Sequence, residues 1–120
     1  MIGINVRATK THDYASLIVS GTKILETRNT NSLKPYIGQR VGIIRTGKGK
    51  AQLIGFVNID KAEWVSQEDF KKIYYKHLVS DDSEFACTNK GKWVYHLSDA
   101  QMHPATDVDS KGIIARNISF

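Results

Sequence analysis

The chain has one cysteine, Cys87, so no disulfide framework and no cysteine-based metal cluster is available to it. A lone thiol suits a reducing compartment, and a cytoplasmic location is expected. No run of 18 apolar residues occurs, which excludes a helical membrane span. The N-terminal Ile2-Gly3-Ile4-Asn5-Val6 lacks a basic region followed by a long apolar one, so no signal peptide is expected. His12, His77, His96 and His103 are scattered, with no ligand spacing on any one element. No metal and no cofactor is therefore expected. Internal repeats, low-complexity tracts and linkers are absent too, which leaves one domain spanning residues 1–120.

Acidic residues are scarce in the first half. Residues 1–50 hold nine Lys/Arg against Asp13 and Glu26, a balance of +7, whereas residues 51–120 balance at −2. A basic half raises the prospect of a polyanionic partner, because lysine and arginine neutralise phosphates and release counterions.

What is present reads mainly as strands. Ile2–Ala8 forms a first strand by its β-branched residues and partial alternation. Thr11 or Asp13 caps a short helix with Tyr14, Leu17 and Ile18 on one stripe, and Gly21 ends it. Lys23–Asn29 reads as a second strand, with Ile24, Glu26 and Arg28 on one face and Lys23, Leu25 and Thr27 on the other. A proline turn at Lys34-Pro35-Tyr36 precedes a hairpin of Gln39–Thr46 and Ala51–Ile59, joined at Gly47-Lys48-Gly49-Lys50. Ser66 opens an amphipathic helix whose Phe70, Ile73, Tyr74, His77 and Leu78 recur at helical spacing. His77 sits on its apolar stripe and reads as a core residue. An acidic loop with Asp81, Asp82 and Glu84 follows, then a strand at Trp93–Leu97. Residues 102–108 read as irregular, and Ile113–Ile118 as a last strand. The fold class expected is α+β, mainly β: a small antiparallel barrel of five or six strands with two inserted helices.

One motif is a false lead. Gly42–Lys48 fits the first seven positions of a phosphate-binding P-loop, but Gly49 stands where Ser or Thr is required, and no helix follows.

Gly21, Lys23, Glu26 and Arg28 fit the pattern G-x-K-x-x-E-x-R. Together with the element order and the strand Lys92–Leu97, this resembles the ASCH domain family of the PUA-like superfamily. The resemblance spans nearly the whole chain. It implies a PUA-like β-barrel with a cleft beside the motif strand, and RNA, single-stranded nucleic acid or a modified nucleoside as partner. Some ASCH-like proteins are amidohydrolases that deacetylate N4-acetylcytidine with a Lys, a Thr and a Glu, and others are linked to RNA cleavage. Lys23 stands at the Lys position, Glu26 occupies the Thr position and Thr27 lies one residue further on.

Three functions stay open. In a binding module, Lys23 and Arg28 meet phosphate, Arg7, Lys10 and Lys34 form a basic rim, Glu26 accepts an exocyclic amine, and Tyr36, Trp93 or Tyr95 stacks on a base. In an enzyme, Lys23 and Glu26 are catalytic, provided that burial brings the lysine's pKa towards neutrality. A protein-interaction module, using the second helix and the acidic loop, is the third.

Overall fold

The computed structural model describes residues 1–119 apart from 82, 84, 88 and 89. The strands are β1 (Ile2–Arg7), β2 (Leu25–Arg28), β3 (Arg40–Thr46), β4 (Gln52–Ser66), β5 (Gly91–Asp107) and β6 (Ala115–Asn117). The helices are α1 (Tyr14–Val19), α2 (Gln67–Lys72) and α3 (Tyr74–His77), with a 3-10 turn at Lys34–Tyr36. The six strands form one sheet in the order β2-β5-β4-β3-β1-β6. The fold is mainly β, as its sequence implies. β1 and β3 run parallel, and the other pairs are antiparallel.

Asp13 is the cap of α1: its carboxylate accepts from the Ser16 amide at 3.2 Å and from the Ser16 hydroxyl at 2.8 Å. Gly21, at φ +80, ends this helix in the left-handed region. Tyr14, Ala15, Ile18 and Val19 are its buried residues. The main core gathers them with Ile4, Ile43 and Val57 from the sheet. A smaller cluster of Ile44, Leu53, Phe56 and Ile118 forms a second core.

Three elements depart from the sequence-based reading. The second helix breaks at Ile73 (φ −103, ψ 22) into α2 and α3, and Leu78 closes α3 at φ +59. The apolar stripe survives the break: Phe70 and His77 stack with centroids 3.8 Å apart. β4 runs on to Ser66 instead of ending near Ile59. Residues 102–107, read as irregular, continue β5. That end of β5 is mostly exposed, so no apolar alternation marks it. β2 covers β5 only from Trp93 to His96, and Pro104 lies beyond that reach, where one edge needs no donor.

Register shifts between Leu53/Gly55, Phe56/Asn58 and Ile59/Lys61 bend the long β4–β5 ribbon. The sheet curls until its two ends approach. Arg28 on β2 donates to the Asn5 carbonyl on β1 at 2.6 Å, although four strand pairings separate them in the sheet. The gap between these two strands is where the cleft opens.

Candidate functional site

The segment between α1 and β2 is held on three sides. Lys23 N–H donates to the Leu17 carbonyl at 2.9 Å, Ile24 N–H to Lys76 at 2.9 Å, and Leu97 N–H to Ile24 at 3.0 Å. Lys23 is thereby fixed before β2 begins, rather than lying within the strand. Its side chain is 1% exposed. The ammonium donates to the His77 carbonyl and lies 5.2 Å from the centroid of the Tyr14 ring.

Glu26 is also buried, at 6% exposure. Its Oε1 accepts the Thr27 amide at 3.0 Å, and its Oε2 accepts Arg28 Nη2 at 3.0 Å. β2 is an edge strand, and its register with β5 turns the Thr27 amide away from its neighbour. Glu26 meets that free amide, as an unpaired buried donor requires.

Lys23, Glu26, Thr27 and Arg28 all line one cleft of 320 Å³. The alternation expected for an extended strand would have divided them between two faces. It fails because the free edge of β2, rather than either face, borders the cleft. Opposite β2, Asn5 and Arg7 come from β1, and Arg116 from the middle of β6. Arg116 Nε donates to Asn5 Oδ1 at 3.1 Å, and Asn5 Nδ2 donates to the Gly112 and Ile113 carbonyls at 2.9 Å each. Tyr14, Val79 and Phe85 give the cleft apolar walls.

Burial pushes the Lys23 ammonium down to a pKa of about 8; Glu26 opposes the shift, and Lys92 and Arg28 add to it. Lys92 is buried as well, and burial likewise lowers its pKa. Its ammonium donates to the Phe85 carbonyl. Two buried lysines thus each hold a main-chain carbonyl in the segments that wall the cleft. His77 is a core residue, as its place on the apolar stripe suggests. Its Nε2–H donates to the Phe70 carbonyl at 2.7 Å, and its Nδ1 accepts the Val79 amide at 2.9 Å. That pattern requires the neutral ring, and burial lowers its pKa to about 4.

The other expected residues divide. Arg7 is at the cleft and exposed. Lys34 and Tyr36 are absent from its described lining: Lys34 is solvent-exposed on the 3-10 turn and Tyr36 packs against the main core. Tyr95 is fully buried, with its hydroxyl donating to Asn31 Oδ1 at 2.9 Å and accepting the Leu33 amide at 3.3 Å. It ties the 30–33 loop to the core instead of offering a face to a base. Trp93 packs on that core and meets Trp64 edge-on at 5.9 Å. Asp82 and Glu84 of the acidic loop lie outside the described residues. Among the described residues, no group of three or more His, Cys, Asp or Glu is placed to hold a metal ion. No helix among them is long and apolar enough to cross a membrane.

Sequence reasoning missed Asn5, Tyr14, Phe85 and Arg116 as cleft residues. Tyr14 carried a signal, its place on the α1 stripe, but that stripe reads as core. Arg116 carried none, since only the pairing of β6 with β1 brings it to Asn5.

The architecture has counterparts among solved structures. The ASCH protein of Zymomonas mobilis superposes with a TM-score of 0.71, covering 89% of this chain and 74% of that one at 21% identity. The chain has the ASCH fold. A serine-to-alanine variant and a tyrosine-to-phenylalanine variant of the same protein match at the same TM-score and identity, with 75% and 76% of their chains covered. At 21% identity the likeness carries the ASCH fold and no activity. No family model and no curated protein matches the chain.

Proposed function

We propose that the protein binds RNA or a modified nucleotide, taking one nucleoside into the cleft between β1 and β2. The observation that carries this reading is the gathering of Lys23, Glu26 and Arg28 around one apolar-walled cavity of 320 Å³. A concave, partly apolar site with a few converging polar groups is the usual form of a small-molecule pocket. Glu26 supplies carboxylate lone pairs for an exocyclic amine, while Lys23 and Arg28 supply donors for ring carbonyls. Lys23 lies too deep for a phosphodiester backbone, so base recognition suits it better than phosphate contact. The ASCH fold accords with a nucleic-acid partner as an analogy of fold.

Fluorescence anisotropy with a labelled single-stranded RNA tests this. Binding is expected at low salt and should fall by about tenfold or more in Glu26→Gln, which keeps the shape but removes the charge. Affinity that is absent at low salt, or unchanged in Glu26→Gln, overturns the reading.

A hydrolytic role for the same cleft is the second reading, and the lowered pKa of Lys23 favours it. A lysine near 8 holds a usable fraction of free amine at neutral pH, as a general base needs. Glu26 and Thr27 border the same cavity. The reaction implied is cleavage of the amide of N4-acetylcytidine by water, giving cytidine and acetate. Turnover that rises with pH through about 8 and vanishes in Lys23→Met would support it. No product from N4-acetylcytidine or from RNA would remove it.

A further inference from the structure

A second cavity adjoins the cleft. Its volume is 580 Å³, and Arg7 lines both. The wall between them is a ring pair: Tyr14 faces the cleft, His12 faces the second cavity, and the two stack at 5.2 Å with their planes 9° apart. Tyr14 is held in place by its hydroxyl, 2.7 Å from Ser83 Oγ, and Ser83 lines the second cavity.

The two cavities differ in chemistry. Buried carboxylate, amine and apolar walls make up the cleft. Among the described residues of the second cavity, Arg7, Lys10 and Lys48 are cations and none is an acid. Its floor is built main chain. Ala8 N–H donates to the Thr46 carbonyl at 2.8 Å, and Thr9 N–H to the His12 carbonyl at 2.8 Å. Thr9 Oγ1 accepts the amides of Thr11 at 3.3 Å and His12 at 3.0 Å. Gly47, at φ +85, brings the β3–β4 turn against β1; a Cβ there would lie 2.4 Å from the Ala8 carbonyl oxygen. This approach brings the hairpin tip against Arg7, and Lys48 then lines the same cavity as Arg7 and Lys10. The nearby Asp13 carboxylate is already engaged by Ser16 and by Arg45 at 3.4 Å, and lies 3.9 Å from Lys48 Nζ.

We infer that this second cavity is a phosphate subsite. It takes the phosphate of the nucleotide whose base enters the cleft, with Arg7 spanning the two and Lys10 and Lys48 completing the charge. The preferred ligand is then a nucleoside phosphate, free or within an RNA chain, and not a bare nucleoside. This inference rests on the binding reading above and deepens it. It also reassigns roles: the exposed cations of the 7–12 turn and the β3–β4 hairpin tip meet phosphate, whereas Lys23 and Arg28 remain with the base.

Calorimetric titration with cytidine, cytidine 5′-monophosphate and the dinucleotide uridylyl-(3′→5′)-cytidine, whose phosphodiester sits on the same 5′ oxygen, tests the inference at low salt. Cytidine carries the exocyclic amine that Glu26 would accept. In the wild-type chain the monophosphate is expected to bind about tenfold or more tightly than cytidine, since charge-assisted bonds to phosphate are the stronger kind. A dinucleotide that gains as much places an internal phosphodiester in the subsite, and a gain confined to the monophosphate assigns it to terminal phosphates. The double variant Lys10→Gln and Lys48→Gln alters two exposed side chains; it should bring the phosphorylated ligands down to the cytidine level and leave cytidine unchanged. Equal binding of cytidine and both phosphorylated ligands by the wild type overturns the subsite and spares the cleft. So does a phosphate preference that survives in the double variant. Failure of all three ligands and of the single-stranded RNA overturns both the cleft reading and the subsite.

Discussion

Lys23 is an expensive residue for a small fold to keep. An ammonium removed from water has lost hydration that one carbonyl and one ring face do not fully replace. Groups of this kind tend to serve function, and replacing them with an apolar side chain of similar volume costs little. In Lys23→Met we expect unfolding stability to fall by no more than about 2 kcal/mol, while affinity for RNA drops at least about tenfold. Urea denaturation read beside anisotropy checks the pair. A large stability loss with binding intact would make Lys23 a structural residue. His77 yields a pH prediction. Its folded pKa of about 4 lies below the ordinary 6.5, so the unfolded chain takes up the proton first as pH falls. Its contribution to stability is whole above about 6.5 and is lost down to about 4, at roughly 1.4 kcal/mol per unit. An NMR titration should find the ring neutral at pH 6, and a midpoint above 6 would contradict the structure.

Among elements, β2 has a strained assignment: it is four residues long and forms an edge, yet it carries the site. Arg28 fixes its free side by joining Glu26 on its own strand to the Asn5 carbonyl across the gap. Arg28→Ala should cost about 1–3 kcal/mol, because a buried carboxylate and a carbonyl both lose a charged donor. Arg28→Lys should recover only part of it, since a shorter, more strongly hydrated ammonium must reach the two acceptors that the guanidinium Nη2 now meets. Thermal unfolding of the two variants separates the outcomes. The β4–β5 ribbon depends on close approach. A Cβ on Gly55 would stand 2.3 Å from the Gln101 carbonyl oxygen and 2.5 Å from Val19 Cγ1. Neither neighbour is the tip of a flexible side chain, so Gly55→Ala is expected to lose about 2 kcal/mol or more. A melting temperature equal to wild type would show that the ribbon yields there.

At the scale of the whole molecule, three of the nine basic residues behind the +7 balance of residues 1–50 share a location. Arg7, Lys10 and Lys48 collect at one cavity, while Lys34 stands apart on the 3-10 turn. If three phosphate contacts form there, log affinity for single-stranded RNA should fall against log salt with a slope near −2, from about 0.7 per contact. Lys34→Ala should leave that slope unchanged, and the Lys10/Lys48 double variant should flatten it. A slope altered by Lys34 and not by the pair would move the electrostatic surface to the other side.

Some of this was legible in the chain and some was not, for identifiable reasons. The motif from Gly21 to Arg28 pointed to residues that line the candidate cleft, because its residue types are chemically unusual at a helix-to-strand junction. Local signals likewise narrowed the α1 cap to Thr11 or Asp13 and gave the hairpin at 47–50 and the core place of His77, each resting on bonds within a few residues. The site's second side was silent. Asn5 meets β2, and Arg116 joins the same cleft, only because the bent β4–β5 ribbon curls the sheet, and neither periodicity nor motif encodes that curl. Tyr36 and Tyr95 looked like stacking rings, but an aromatic in a strand or turn has the same signature whether it faces a cleft or a core. By itself the sequence determined which residues are charged, where the chain turns and which fold it resembles. Only the tertiary structure decided which charges are buried, because burial is set by contacts between residues far apart along the chain.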